Sequence, residues 1–260
     1  MTRRLGAMLL ALAALPASAL PAGAERLITS LSNQQVMVTS SFTGADLVLF
    51  GTVEADAGAV PRQGNYDLVV TVIGPRHNVL ARRKEREVGI WVNVESREFI
   101  GVPSFLAVLS NRPVADIADP DIRRRLQVGT DFTLLPQRIG NDIADTVATD
   151  PMRRAFVRLK GEHRLYQENP EAVTFIAPAV FRAAIPLPAA VPIGTYSVDV
   201  KLFVAGAMVG RATSALDVMK AGFEEVVAEA AHEYGLLYGI ATAIMALFTG
   251  WFASLVFKRD

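Results

Sequence analysis

From Tyr234 to Phe257 the chain runs without a single charged side chain. A helix crosses the hydrocarbon core of a bilayer with about 20 apolar residues, so this run predicts a transmembrane helix over 234–257. Tyr234, Tyr238, Trp251 and Phe252 stand near its ends, where amphipathic rings anchor at the headgroups. Glu224, Glu225, Glu229 and Glu233 precede it within a juxtamembrane segment, 221–233, and Lys258 and Arg259 follow it in a tail, 258–260. The positive-inside rule then puts the tail in the cytoplasm and the body of the chain on the far side.

The other end points the same way. Residues 1–24 read MTRRLGAMLLALAALPASALPAGA. Arg3 and Arg4 make a basic start, Leu5 to Leu15 an apolar stretch too short to span, and Pro16 breaks it. Ala17-Ser18-Ala19 and Ala22-Gly23-Ala24 both offer the small residues that a signal peptidase needs. Cleavage after Ala24 is expected, leaving Glu25 at the mature N-terminus. Hydrophobic residues make up 51% of the chain, with the excess at these two ends. The 26 cations and 26 carboxylates balance; loss of Arg3 and Arg4 with the signal peptide leaves a formal charge of −2. Bulk charge therefore gives no basis for nucleic-acid binding. Without cysteine there are no disulfides, thiolate metal sites or cysteine nucleophiles.

Between the ends, 25–220 reads as a periplasmic domain. Leu47 to Phe50 is a short apolar run closed by Gly51, Tyr66 to Ile73 is β-branched and stops at Gly74-Pro75, and Gly89 to Val94 continues in the same style. Ile90, Val92 and Val94 are expected on one face, with Trp91 and Asn93 on the other. The middle changes character. Ser104 is expected to cap a helix over Phe105 to Ser110, and Ala118 to Leu126 and Pro151 to Tyr166 also read as helical, giving a helical segment over about 104–168 with a loop from Gly129 to Asp150. Strands return at Val173 to Ile176, Phe181 to Leu187, Thr195 to Val204 and Ala207 to Val218. Val191-Pro192-Ile193-Gly194-Thr195-Tyr196 leads into the third of these with the turn chemistry common in immunoglobulin-like domains. The expected fold class is mainly β: an immunoglobulin-like β-sandwich with an inserted helical segment, plus one C-terminal transmembrane helix. Two small β domains joined by a helical linker fit the same spacing.

Chemistry is sparsely signalled. No two of His77, His163 and His232 have metal-ligand spacing, and there is no G-x-S-x-G, Walker A or G-x-G-x-x-G run. No cofactor is expected. Three basic clusters stand out: Arg82-Arg83-Lys84 with Arg86, Arg123-Arg124-Arg125, and Arg153-Arg154 with Arg158 and Lys160. The first is the candidate anion patch, since guanidinium forks match phosphate and sulfur oxyanions. The plainer alternative is a solvated face paired with Glu85, Glu87 and Asp121. In the span, Gly235, Gly239, Ala243, Ala246 and Gly250 recur at steps of three and four, a candidate helix-packing face for an inner-membrane protein or a second copy.

Leu31-Ser32-Asn33, Phe42-Thr43-Gly44, Leu47 to Gly51, Tyr66 to Pro75, Arg82-Arg83-Lys84-Glu85-Arg86, Gly89-Ile90-Trp91-Val92-Asn93, Ser110-Asn111-Arg112-Pro113, Phe181-Arg182-Ala183, Val191 to Tyr196 and Gly235 to Trp251 occur in this order. Together they resemble the alphaproteobacterial transmembrane family Alph_Pro_TM. The resemblance implies location and topology but no activity and no catalytic residues. It also implies a neighbourhood with permeases of the sulfite-exporter type. The expectation is a non-enzymatic, membrane-anchored periplasmic binding or accessory module that assists such a transporter in the inner membrane. An envelope enzyme of unknown reaction and a structural envelope protein without a small ligand are the alternatives.

Overall fold

A computed structural model describes residues 25–54, 66–139, 142–222, 227 and 231–256. The expected signal peptide and the C-terminal tail 258–260 lie outside the described residues, as does most of the juxtamembrane segment.

Alternating apolar residues build the first layer. Strand β12 (Val180–Pro188) buries Phe181, Ala183, Ile185 and Leu187 on one face, and β3 (Gly44–Glu54) buries Leu47, Leu49 and Val53. With β1 (Arg26–Leu31) and β11 (Val173–Ala177) they form a sheet in the order β1-β3-β12-β11. The second layer has six strands, β10 (Tyr166–Asn169), β7 (Leu106–Ser110), β4 (Asp67–Ile73), β13 (Gly194–Val204), β14 (Ala207–Lys220) and β2 (Gln35–Val38), in that order. Val70, Val72, Leu109, Val198, Val200 and Leu202 meet the first sheet's apolar face in one core. This is the β-sandwich. Tyr196 is fully buried in it and donates its hydroxyl to the Pro192 carbonyl at 2.5 Å, so the turn chemistry ahead of β13 has a structural purpose.

The six-stranded sheet is covered on its other face too. Val69, Leu106, Val108, Tyr166 and Phe203 pack there against Phe99, Val102, Val114, Ile117, Met152 and Phe156. The covering elements are a third sheet, β5 (Arg76–Glu87), β6 (Ile90–Pro103), β8 (Pro136–Ile139) and β9 (Asp142–Asp145), and three helices, α1 (Val114–Ile117), α2 (Pro120–Leu126) and α3 (Pro151–Glu162). Two buried carboxylates, Asp67 and Asp199, are paired. Asp67 accepts both Arg112 Nε and Nη2 at 2.6 Å, and Asp199 takes Lys201 and Arg211.

Several local expectations differ. Phe105 to Ser110 is not helical: all five residues of β7 are buried, between β4 and β10. Helix propensity differs among ordinary residues by tenths of a kcal/mol, whereas burying one large aliphatic side chain contributes about 1.5–3 kcal/mol. Two-sided burial therefore decides the conformation. The stretch 104–168 is accordingly a mixture, with β8 and β9 inside the expected Gly129 to Asp150 loop and Tyr166 in a strand rather than in α3. On β6 the pairing shifts register between Arg83 and Lys84, where Glu95 and Asn93 are the successive partners, so Val94 is bulged out of the expected alternation with Ile90 and Val92.

The last helix, α4 (Gly235–Val256), matches the expected span, and none of its most apolar stretch is buried within the protein. Hydrogen exchange of the detergent-solubilised protein tests β7 directly. The amides of residues 106–110 should exchange as slowly as those of β4 and β13; fast exchange confined to 106–110 would reject the strand.

Candidate functional site

Groove between an edge strand and a helix

A groove of about 650 Å³ runs between β5 and α3. Six consecutive residues of β5, Val79 to Lys84, line it. Successive strand residues point to opposite faces, so residues of both parities share one groove only where the strand's free edge faces it. The sheet order does leave β5 at an edge. From α3 come Met152, Ala155, Phe156, Leu159 and Lys160, with His163 and Leu165 just beyond. Phe156 is held by Phe99 and Tyr166, ring centroids 4.9 and 5.9 Å away, while Leu159 stays 48% exposed on the groove side.

The α3 wall starts at a built cap. Asp150 Oδ1 accepts the Arg153 amide at 2.9 Å and Pro151 takes the first helical position. Its other oxygen takes Arg97 Nη1 at 2.6 Å, which ties β6 to the helix. Burial alone would raise the Asp150 carboxyl, but the Arg153 amide and the Arg97 guanidinium outweigh it and hold it below the usual carboxylate range. Arg97 also grips Glu95 at 2.7 Å, and Glu95 lies 3.5 Å from Arg83.

Five cations therefore surround an apolar floor, in two classes. Arg83 and Arg97 are neutralised by Glu85, Glu95 and Asp150. Arg82, Lys84 and Lys160 have no carboxylate within salt-bridge distance among the described residues. Lys160 is half-buried, which lowers its pKa, and its ammonium stands 5.7 Å from the Phe156 ring centroid and 5.9 Å from that of Tyr166. Such a wall can take an anionic group at the rim and apolar matter on the floor.

Of the candidate patch, Arg82, Arg83 and Lys84 line the groove, while Arg86 lies farther along β5 and donates to the Gly89 carbonyl at 3.3 Å. The other basic clusters divide. Arg123 and Arg124 lie over the Phe132 ring, 5.0 and 5.9 Å from its centroid. Arg153 is buried and donates to Thr146 Oγ1 and to the Asp131 and Thr133 carbonyls, which closes the loop rather than facing solvent. Sequence reading left Arg97 out of the site and counted Lys160 with Arg153. The i, i+3, i+4 set Phe156, Leu159 and Lys160 was the signal that joined Lys160 to an apolar face. Among the described residues no cluster of His, Asp and Glu has the makings of a metal site.

On α4, Gly235, Gly239, Ala243, Ala246 and Gly250 fall within an arc of about 80° at 100° per residue. Side chains added at Gly235, Gly239 or Gly250 would meet nothing within 4 Å, so the face is open. Thr242 and Thr249 turn their hydroxyls back onto helix carbonyls, which suits a lipid environment.

Residues 26–259 match the family described as "Putative transmembrane protein (Alph_Pro_TM)". The chain belongs to the Alph_Pro_TM family. No curated protein matches it. Among solved structures, the Alph_Pro_TM chain is similar to Spo0M, a sporulation control protein from Bacillus subtilis, at 12% identity and a TM-score of 0.28. That likeness covers 82% of this chain and 56% of Spo0M, and at such a score it carries nothing about function.

The lowered Asp150 carboxyl gives a signed prediction for this Alph_Pro_TM protein. A group whose folded pKa is depressed contributes stability above its unfolded value, near 4, and loses it as pH falls through the folded value. The melting temperature in detergent should fall steeply below about pH 4. Asp150→Ala should cost about 1 kcal/mol near pH 7 and flatten that fall. An unchanged pH profile in the variant would show that the cap contributes nothing.

Proposed function

We propose that the protein is a membrane-anchored periplasmic binding or accessory module whose β5–α3 groove takes an anionic ligand bearing an apolar portion. One observation carries the reading: Arg82, Lys84 and Lys160, free of carboxylate partners among the described residues, converge on an apolar floor. A solvated basic face has no need of such a floor, because exposed cations do not require Phe156, Leu159 and Leu165 beneath them.

The signal-peptide pattern at the N-terminus, the one apolar helix long enough to span among the described residues and the Lys258-Arg259 flank support a single-pass protein of the bacterial inner membrane, with the main domain in the periplasm and the C-terminus in the cytoplasm. The permease neighbourhood that the family resemblance implies is the ground for taking a transporter of the sulfite-exporter type as the partner assisted. The small-residue face Gly235, Gly239, Ala243, Ala246 and Gly250 supports contact with that partner's helix or with a second copy, since lipid already satisfies Leu and Phe and close backbone approach is what drives association.

Thermal unfolding of the full chain in uncharged detergent tests the groove. Octanesulfonate, with both an oxyanion and a chain, should raise the melting temperature more than sulfite or sulfate at equal concentration. Arg82→Gln with Lys84→Gln should remove that rise while the unliganded melting temperature stays within a degree or two, as expected for exposed positions of about ±0.5 kcal/mol. No rise with any of the three anions, or an equal rise in the double variant, would remove the binding reading.

A further inference from the structure

The long hairpin β5–β6 ends in a two-residue reversal, because Glu87 pairs directly with Ile90. Val88 and Gly89 sit at φ +49° and +85°. Positive φ at both central positions defines the type I′ turn, which suits the twist of the strands and is normally built from Asn-Gly, Asp-Gly or Gly-Gly. Valine is among the least suited residues there, since a β-branched side chain crowds its own backbone in the left-handed region. A second two-residue reversal of this kind, Ala205-Gly206 between β13 and β14, uses a bare methyl and has the Ile117 carbonyl 3.8 Å from a Cβ placed at Gly206.

Among the described residues nothing accounts for valine at position 88. A side chain on Gly89 would meet nothing within 4 Å, and Val88 is fully exposed at 104%. Ile90 and Trp91, the next residues, are 66% and 69% exposed. A strained, solvent-facing apolar tip has a cost in the free domain, with no contact to offset it among the described residues. Behind the tip stand Arg82, Arg83, Lys84 and Arg86 against Glu85 and Glu87, an excess of positive charge, and the Arg86 bond to the Gly89 carbonyl braces the turn.

We propose that the Val88-Gly89 tip is a membrane-inserting wedge: Val88, Ile90 and Trp91 enter the headgroup boundary of an anionic bilayer, and the basic residues behind them rest on lipid phosphates. Chain connectivity selects lipid as the occupant. Residues 221–234 join β14 to α4 and reach at most about 50 Å even if fully extended, so the domain never leaves the neighbourhood of the bilayer that α4 crosses. At such a local concentration a weak two-part signal, a few apolar side chains plus a basic collar, is enough to hold the tip down. Tryptophan is the side chain most suited to that depth. The inference does not rest on the groove reading, and Arg86, which does not line the groove, separates the two.

The chain has two tryptophans, so Trp251→Phe leaves Trp91 as the sole indole. The full-length protein is reconstituted into phosphatidylcholine vesicles with and without phosphatidylglycerol, some carrying brominated acyl chains as quenchers. In the anionic vesicles Trp91 emission should shift to the blue and be quenched by bromine, with less of both in phosphatidylcholine alone. Val88→Asn relieves the turn, so it should raise the melting temperature and yet lower quenching to the zwitterionic level. Arg86→Gln should lower it in part. The difference between the native chain and Trp91→Phe gives the same reading should Trp251→Phe fail to insert. A solvent-like, unquenched Trp91 in anionic vesicles would overturn the proposal. A blue shift without bromine quenching would also overturn it, by assigning the tip to a protein contact such as a second copy.

Discussion

Strand β4 has no solvent face, and most of the architecture follows from that. Asp67 to Val72 are all buried, with Val70 and Val72 in the sandwich core and Val69 in the second core on the opposite side. A strand of this kind must be covered twice. The four-stranded sheet covers one side; β6, α1 and α3 are drawn over the other by the apolar surface of β4, β7 and β13. Covering that surface fixes α3 beside the free edge of β5, and so creates the groove. The two edges of the same demand, a buried Phe99 at the base of β6 and an exposed hairpin beyond it, explain why β5 and β6 outrun their sheet.

Several charged groups caught between the layers are satisfied in pairs and forks. Asp67 with Arg112 and Asn111 joins segments distant in sequence, Arg153 with four backbone or hydroxyl oxygens closes the loop ahead of α3, and Asp199 with Lys201 and Arg211 ties the β13–β14 hairpin. Removing one partner of such a set costs more than the pair contributes, since a buried charge then lacks its counterpart. These arginines are structural. Within the groove, by contrast, Arg82, Lys84 and Lys160 stand without a carboxylate in salt-bridge distance among the described residues and beside an apolar floor, and that combination gives the groove its interest.

Much of the fold was legible in the sequence where local signals were strong. The charge-free run from Tyr234 set the span, and alternation in Phe181 to Leu187 and Thr195 to Val204 set two sandwich strands. Leu106 to Ser110 was misread because a strand buried on both faces loses its period of two and resembles a short buried helix. β8, β9 and β10 have only four residues each, too few for any period to register. The site was half legible. Arg82, Arg83 and Lys84 stood together in the sequence, but their meeting with Lys160 and Arg97 depends on the docking of α3 through Asp150, which no local pattern encodes.

The account stands or falls on whether the groove faces the periplasm and is open to ligands there. Because the chain has no cysteine, Leu159→Cys places one thiol in the groove wall. Labelling with a membrane-impermeant maleimide, in cells whose outer membrane alone has been permeabilised, reads both properties at once. The account predicts labelling without rupture of the inner membrane, slowed by octanesulfonate. Labelling only after the inner membrane is ruptured, or at a rate that octanesulfonate does not change, would contradict it.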